Sequence, residues 1–290
     1  MRLVIVSGLS GSGKSVALNM LEDLDYYCVD NIPAGLLPGF IAYTVRTSEP
    51  AYRLTAVGVD ARNRPEDLAD VPRLVAELRR SGIGCDVLFL RASNDVLLKR
   101  FSETRRRHPL SREGLGLQEA LEQEHRLLAP VATAADLTID TSQLSVHDLR
   151  EMIRERVVER PVTGPSLLFE SFAYRHGVPD DADFVFDARA LPNPFWEPSL
   201  RDLTGRDAPV ARYLDDKEEA ATFLADITAF LERWLPSLVR SNRSYLTVAV
   251  GCTGGQHRSV YLAEKLASHF NASFGQALVR HRDLASRRHE

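Results

Sequence analysis

The chain has 290 residues, 44% of them apolar and 26% charged, with a net charge of −4, a globular composition with room for two domains. Its longest apolar runs are strand-sized, such as Val87 to Leu90, which excludes a bilayer span. Residues 3 to 6 give way to Ser7-Gly8 too early for a signal peptide, so a cytoplasmic protein with no membrane partner is expected.

In chain order, Leu3 to Val6 reads as a buried strand, and Lys14 to Leu24 as a helix with apolar residues at Val16, Leu18, Met20, Leu21 and Leu24. Strands follow at Tyr26 to Val29, ending at Asp30, and at Leu54 to Val59, ending at Asp60. Val71 to Arg80 is a predicted helix stopped by Ser81-Gly82, and Val87 to Leu90 a strand before the amphipathic segment Asn94 to Phe101. Leu117 to Leu128 is helical, Leu137 to Asp140 a strand and Val146 to Val158 a helix. Strands alternating with helices imply a mostly parallel sheet. Residues 160 to 166 (Arg-Pro-Val-Thr-Gly-Pro-Ser) interrupt both periodicities and mark a linker. Beyond it, strands are expected at Leu167 to Phe169, Phe184 to Phe186, Tyr245 to Val250 and near Ala277 to Val279, and helices at Lys217 to Leu231 and His257 to Phe270. The expected architecture is α/β: an N-terminal domain over residues 1–160 and a smaller α/β domain over 161–290.

Between the first strand and helix stands Gly8-Leu9-Ser10-Gly11-Ser12-Gly13-Lys14-Ser15. The spacing G-x-x-x-x-G-K-S arises by chance in about one chain of this length in a hundred, and here it has the strand–helix context its mechanism needs. The glycines let the backbone wrap phosphates at the start of a helix. Lys14 is expected to reach the β- and γ-phosphates, and Ser15 to ligate Mg²⁺. Asp60 and Asp30, each closing a strand, are the candidate carboxylates for the ion or for a catalytic water. Arg105, Arg106 and Arg107 resemble the lid of small P-loop kinases, although they could equally form a solvated basic face or an RNA contact.

A second strand–loop–helix junction reads Gly251-Cys252-Thr253-Gly254-Gly255-Gln256-His257-Arg258-Ser259. It has the C-x5-R-S spacing of cysteine phosphatases, in which the cysteine is a nucleophile with a lowered pKa. Gly251 stands where those enzymes carry a histidine, and no general-acid loop is evident. A non-catalytic anion site on Cys252, Thr253, Gly254, Gly255, His257, Arg258 and Ser259 is therefore preferred over catalysis. His176, Asp187, Arg189 and Asn193 follow strand ends and could join that pocket. The chain ends in a basic segment, Arg280 to Arg282 and Ser286 to His289, of the kind that contacts RNA phosphates or simply solubilises.

Taken together, Ser7 to Ser15, Tyr27 to Pro33, Asp60 to Asn63, Glu103 to Leu110, Phe184 to Pro194 and Gly251 to Val260 resemble the RapZ/YvcJ family along nearly the whole chain. That resemblance implies a cytoplasmic nucleotide-binding protein with weak ATP and GTP hydrolysis. It assigns ATP to the Gly8 to Ser15 loop and a GTP contact to Asp60, Ala61, Arg62 and Asn63. It further implies a C-terminal domain that binds small regulatory RNA, presents it to an endoribonuclease and senses glucosamine-6-phosphate, in a homo-oligomer of trimeric form. Two departures qualify the RNA role: the tail is rich in arginine rather than lysine, and Arg91 stands where an aspartate is expected. The sequence-level expectation is a regulatory NTPase, with a small-molecule kinase, a cysteine phosphatase and an RNA adapter as rivals.

Overall fold

The computed structural model describes residues 1–47, 49–111, 115–158, 166–240, 245–274 and 277–284. Its chain divides into two compact units, Met1–Glu159 and Arg160–Glu290. Most of the predicted linker (160–165) and the basic end (286–289) lie outside the described residues; Ser166 already belongs to a strand.

The first unit contains β1 (Arg2–Gly8), α1 (Lys14–Glu22), β2 (Tyr27–Val29), α2 (Leu37–Thr47), β3 (Leu54–Gly58), α3 (Pro65–Arg80), β4 (Gly84–Arg91), α4 (Asn94–Thr104), α5 (Leu117–Thr133), β5 (Leu137–Asp140) and α6 (Val146–Ile153). Its five strands are parallel in the order β2-β3-β1-β4-β5. Strand β1 is central and fully buried from Leu3 to Val6, which is why it reads as a continuous apolar run rather than an alternating one. A central first strand places its C-terminal loop between the ends of β3 and β4, the crevice where open α/β sheets take ligands. At Gly8, φ is +149° and an added Cβ would sit 2.3 Å from the Leu90 carbonyl oxygen. Only glycine lets β1 turn this close to β4.

The second unit contains β6 (Ser166–Ala173), β7 (Phe184–Asp187), α7 (Ala208–Asp215), α8 (Glu218–Arg240), β8 (Tyr245–Cys252), α9 (Arg258–Phe274) and β9 (Ala277–His281). These strands are also parallel, in the order β7-β8-β6-β9. Ala173 and Asp187 end level with Cys252 and Gly251, so the segments after β6, β7 and β8 emerge at one edge. The core beneath is apolar, with Phe169 stacked on Phe270 at a 5.6 Å ring separation.

Two helices escape the sequence reading. Pro38-Gly39 at the start of α2 resembles a turn, yet proline is accommodated in a first helical turn because its missing N–H would be unpaired there anyway. Helix α7 has only eight residues and likewise opens with a proline near its N-terminus. No described helix is long and apolar enough to cross a membrane.

Candidate functional site

The Gly8–Ser15 loop forms the floor of a cavity of about 760 Å³ that all eight of its residues line. Asp30, Asp60, Arg62, Arg100, Arg106 and Arg107 line the same cavity. The cationic side chains outnumber the carboxylates, which suits a polyanion. Lys14 Nζ lies 2.5 Å from Asp30 Oδ1 and 3.8 Å from Asp60 Oδ2, so both strand-end aspartates face the lysine.

Asp60 is 5% exposed. Burial alone would raise its carboxyl, but Arg62 outweighs that effect and holds it below the ordinary 3.8. The guanidinium grips both carboxylate oxygens, with Nη2 2.5 Å from Oδ2 and Nε 3.2 Å from Oδ1, and the Arg62 backbone N–H adds a bond of 3.0 Å to Oδ1. With its amide nitrogen turned to the carboxylate, Asn31 donates to the two oxygens at 3.0 and 3.2 Å. Of the segment from Asp60 to Asn63, only Asp60 and Arg62 reach the cavity. Ala61 is packed in the core, and Asn63 accepts from Ala34 N at 2.6 Å while donating to the Asp60 carbonyl at 3.1 Å. Of the three consecutive arginines, Arg106 and Arg107 line the cavity. Arg105 caps α4 in the left-handed region with φ of +52°.

Several side chains that shape the loop carry no motif. Arg100 Nη1 donates to the Gly11 carbonyl at 3.0 Å, and its Nη2 to the Thr141 carbonyl at 2.6 Å. The Thr141 hydroxyl donates to the Ser12 carbonyl at 2.9 Å. Glu124, wholly buried, accepts from Ser10 N at 2.9 Å and Ser10 Oγ at 2.7 Å. Two signals for them exist in the sequence. Thr141 directly follows a strand, as Asp30 and Asp60 do, and Glu124 is a charge between Ala120 and Leu128 on the apolar stripe of a helix.

The second junction borders another cavity of about 790 Å³, lined by Cys252, Thr253, Gly254, Gln256, His257 and Arg258, and by Arg175, His176, Asn193, Phe195 and Trp196. No carboxylate lines it among the described residues. Gly255 turns away with φ of +65°, and an added Cβ there would lie 2.9 Å from Ala173 N and 3.0 Å from Asp283 Cβ. Ser259 is fully buried, and its Oγ lies 3.2 Å from Cys252 Sγ. His257 is 6% exposed with Nε2 3.2 Å from the Leu200 carbonyl, and burial lowers its pKa. Arg258, 5% exposed, donates through Nη1 to the carbonyls of Arg189 at 2.9 Å and Leu191 at 2.8 Å, while its Nε has no hydrogen-bond partner among the described residues. His176 and Asn193 join this cavity as expected from their strand-end positions. Asp187 and Arg189 instead pair with each other, and Arg189 lies over the Tyr174 ring. In the basic segment, Arg280 pairs with Glu170, and His281 with Ser171 and Glu264. The aromatic pair Phe195 and Trp196 has no precedent in the sequence reading; Trp196 is 73% exposed.

Comparison with known proteins agrees with this division. Residues 1–160 match the RapZ-like N-terminal domain, and residues 165–285 the RapZ C-terminal domain. Over 286 residues the chain is 54% identical to a nucleotide-binding protein of Thioalkalivibrio sulfidiphilus, covering 98% of this chain and 100% of that one. It is 55% identical over 283 residues to a nucleotide-binding protein of Alkalilimnicola ehrlichii, covering 98% of each. Among solved structures, a shikimate kinase from Bacteroides thetaiotaomicron is 15% identical with a TM-score of 0.36, covering 53% of this chain and 97% of that one.

Proposed function

Since the chain belongs to the RapZ family over both of its halves, we propose that it is a regulatory nucleotide-binding protein. In this reading the N-terminal domain holds ATP or GTP with Mg²⁺ and hydrolyses it slowly, and the C-terminal domain senses a phosphorylated metabolite. The observation that carries the reading is Lys14 held between Asp30 and Asp60 at the mouth of the phosphate loop. A lysine already neutralised by two carboxylates suits an exchange of partners. A bound triphosphate would take Lys14, and Asp30, Asp60 and the Ser15 hydroxyl are the groups that would then hold Mg²⁺. When bound, the ion supplies charge neutralisation at the phosphate oxygens.

The carboxylates that line the cavity, Asp30 and Asp60, are both tied to cations. Asp60, with its lowered pKa, orients a water or an ion but is a weak proton acceptor near neutral pH. The absence of a stronger base among the described residues that line the cavity supports slow rather than rapid hydrolysis. The contact at residues 60 to 63 is made by Asp60 and Arg62. A second reading, phosphoryl transfer to a small acceptor, is favoured by Arg106 and Arg107 on the cavity wall.

For the C-terminal domain, a cavity lined by Arg175, His176, His257 and Arg258, and by no carboxylate among the described residues, supports a monophosphate bound without metal. Glucosamine-6-phosphate is the first candidate. Binding of small RNA, presentation to an endoribonuclease and trimeric assembly rest on family membership. A thermal-shift screen of ATP, GTP and sugar phosphates, with and without Mg²⁺, tests the reading because ligands of the native state raise its apparent stability. Separate shifts from a nucleotide and from a sugar phosphate are expected; no shift from any nucleotide would overturn it.

A further inference from the structure

Glu124 is a carboxylate with no exposed surface, which is costly unless its oxygens are fully hydrogen-bonded. They are. Oε1 accepts the Ser10 hydroxyl at 2.7 Å, and Oε2 accepts both Ser10 N at 2.9 Å and His108 Nε2 at 3.1 Å. His108 is itself 3% exposed, and its Nδ1 accepts the Leu110 N–H at 3.2 Å. That bond assigns the ring proton to Nε2, where it points at Glu124. One buried oxygen therefore serves two chain segments at once: the phosphate loop, through Ser10, and the arginine segment, through His108.

A second contact joins the same two segments. The His108 ring packs on Phe101 at 5.3 Å, and a Cβ added to Gly11 would lie 3.5 Å from the Phe101 ring. Arg106 and Arg107 precede His108 by two residues and one, and each residue of chain spans at most about 3.6 Å. Fixing His108 therefore confines both arginines to the wall of the cavity they line.

We propose that Glu124 and His108 are positioning residues, a clasp that fixes Arg106 and Arg107 relative to the phosphate loop so that they meet the bound triphosphate. The clasp rests on the nucleotide reading above and adds to it the means by which arginines outside the loop join the site. Neither residue lines the cavity. Their effect passes through the two arginines, and the prediction is accordingly one of coupling.

A double-mutant cycle tests it, with affinity for Mg²⁺·ATP measured by calorimetry on the full chain. Replacing Arg106 and Arg107 together by alanine is expected to weaken binding about tenfold or more, as for charge-assisted contacts to phosphate. In a His108→Ala background, the same replacement is expected to cost less than about twofold, because the arginines are no longer held in place. His108→Ala leaves both Ser10 bonds to Glu124 intact, so it serves where Glu124→Ala fails to fold. Glu124→Gln should behave nearly as the parent, since its carbonyl can accept from Ser10 N and His108 while its amide donates to Ser10 Oγ. Losses that multiply independently across the cycle overturn the clasp and leave nucleotide binding standing. A parent chain that does not bind Mg²⁺·ATP overturns both.

Discussion

The two glycine-rich junctions share one local grammar, a buried parallel strand, a tight loop and the start of a helix, yet they use their polar side chains in opposite ways. The Gly8–Ser15 loop is held from behind. Glu124 binds Ser10, Arg100 binds the Gly11 carbonyl and Thr141 binds the Ser12 carbonyl. Its own cation, Lys14, meets only exchangeable carboxylates at the mouth of the cavity. The Cys252–Arg258 loop is held by its own residues. Arg258 ties to two carbonyls beyond β7, Ser259 faces Cys252, and His257 meets the Leu200 carbonyl. A loop supported from outside can present all of its charge to a ligand, whereas a self-supporting loop keeps only part of it. On the proposed reading the difference also separates binding from stability in the two halves: Lys14 would serve a ligand first, whereas Arg258 is a strut as well.

The sharpest way to break this contrast is Lys14→Ala. Its ammonium contributes no packing strut, so the fold should persist while ATP and GTP affinity falls by about a hundredfold, the equivalent of about 3 kcal/mol for a charged hydrogen-bonding group. Calorimetry together with a thermal melt decides it. Unchanged affinity removes the phosphate-loop assignment.

Arg258→Ala should do both kinds of damage. Loss of its contact to a phosphate is expected to cost about 2 kcal/mol of sugar-phosphate affinity. Loss of the bonds to the Arg189 and Leu191 carbonyls should also lower the melting temperature without ligand, because one buried and one partly buried acceptor lose their donor. ATP binding should be unchanged. A variant that loses affinity with no change in the unliganded melt would show that Arg258 is no strut, and the contrast would fail.

Asp60→Asn gives a smaller effect. Mg²⁺-dependent turnover should drop more than Mg²⁺-free nucleotide affinity, because the substitution removes the charge that faces the ion and keeps the shape. The pH dependence follows from the carboxyl being held below 3.8. Its stabilisation is complete above the ordinary carboxylate range and is lost as pH falls through the lowered value, so the melt of the parent and the variant should converge only in strong acid. If turnover is unaffected, Asp30 takes the role.

The sequence makes the two loops legible because each is contiguous, and it makes Asp30 and Asp60 legible because strand ends are predictable from apolar runs. The supports are harder to see. Ser10 and Glu124 are 114 positions apart, and Arg100 meets Gly11 across 89. Those meetings exist only once the order β2-β3-β1-β4-β5 is known, and local periodicity does not determine strand order. The same gap explains why residues 251 to 259 read as an open anion site, although Gly255 and Ser259 are turned into the protein. A C-x5-R-S pattern specifies the spacing of the loop, and the segments after β6 and β7 decide which of its atoms remain free.

The smallest effect is expected at Cys252. The residue is 3% exposed and its sulfur lies 3.2 Å from Ser259 Oγ, on the wall of a cavity whose Arg258 is already bonded to two carbonyls. A nucleophile needs its lone pair aimed at the phosphorus and a general acid for the leaving group. No carboxylate lines this cavity among the described residues, and His257, lowered by burial and set against the Leu200 carbonyl, is poorly placed to donate a proton, which leaves His176, paired through Nδ1 with Asp283, as the histidine of the wall that a catalytic reading would have to use. Cys252→Ser keeps a group that can bond Ser259 and is nearly the same size, so stability should change by about 1 kcal/mol or less. Sugar-phosphate affinity should move less than about threefold on the same grounds. A phosphatase assay with a chromogenic monophosphate is the decisive measurement. Should the parent chain turn that substrate over and Cys252→Ser abolish the activity, the thiol is catalytic. The self-supporting loop would then be an enzyme's, and the sensor reading of the C-terminal domain falls.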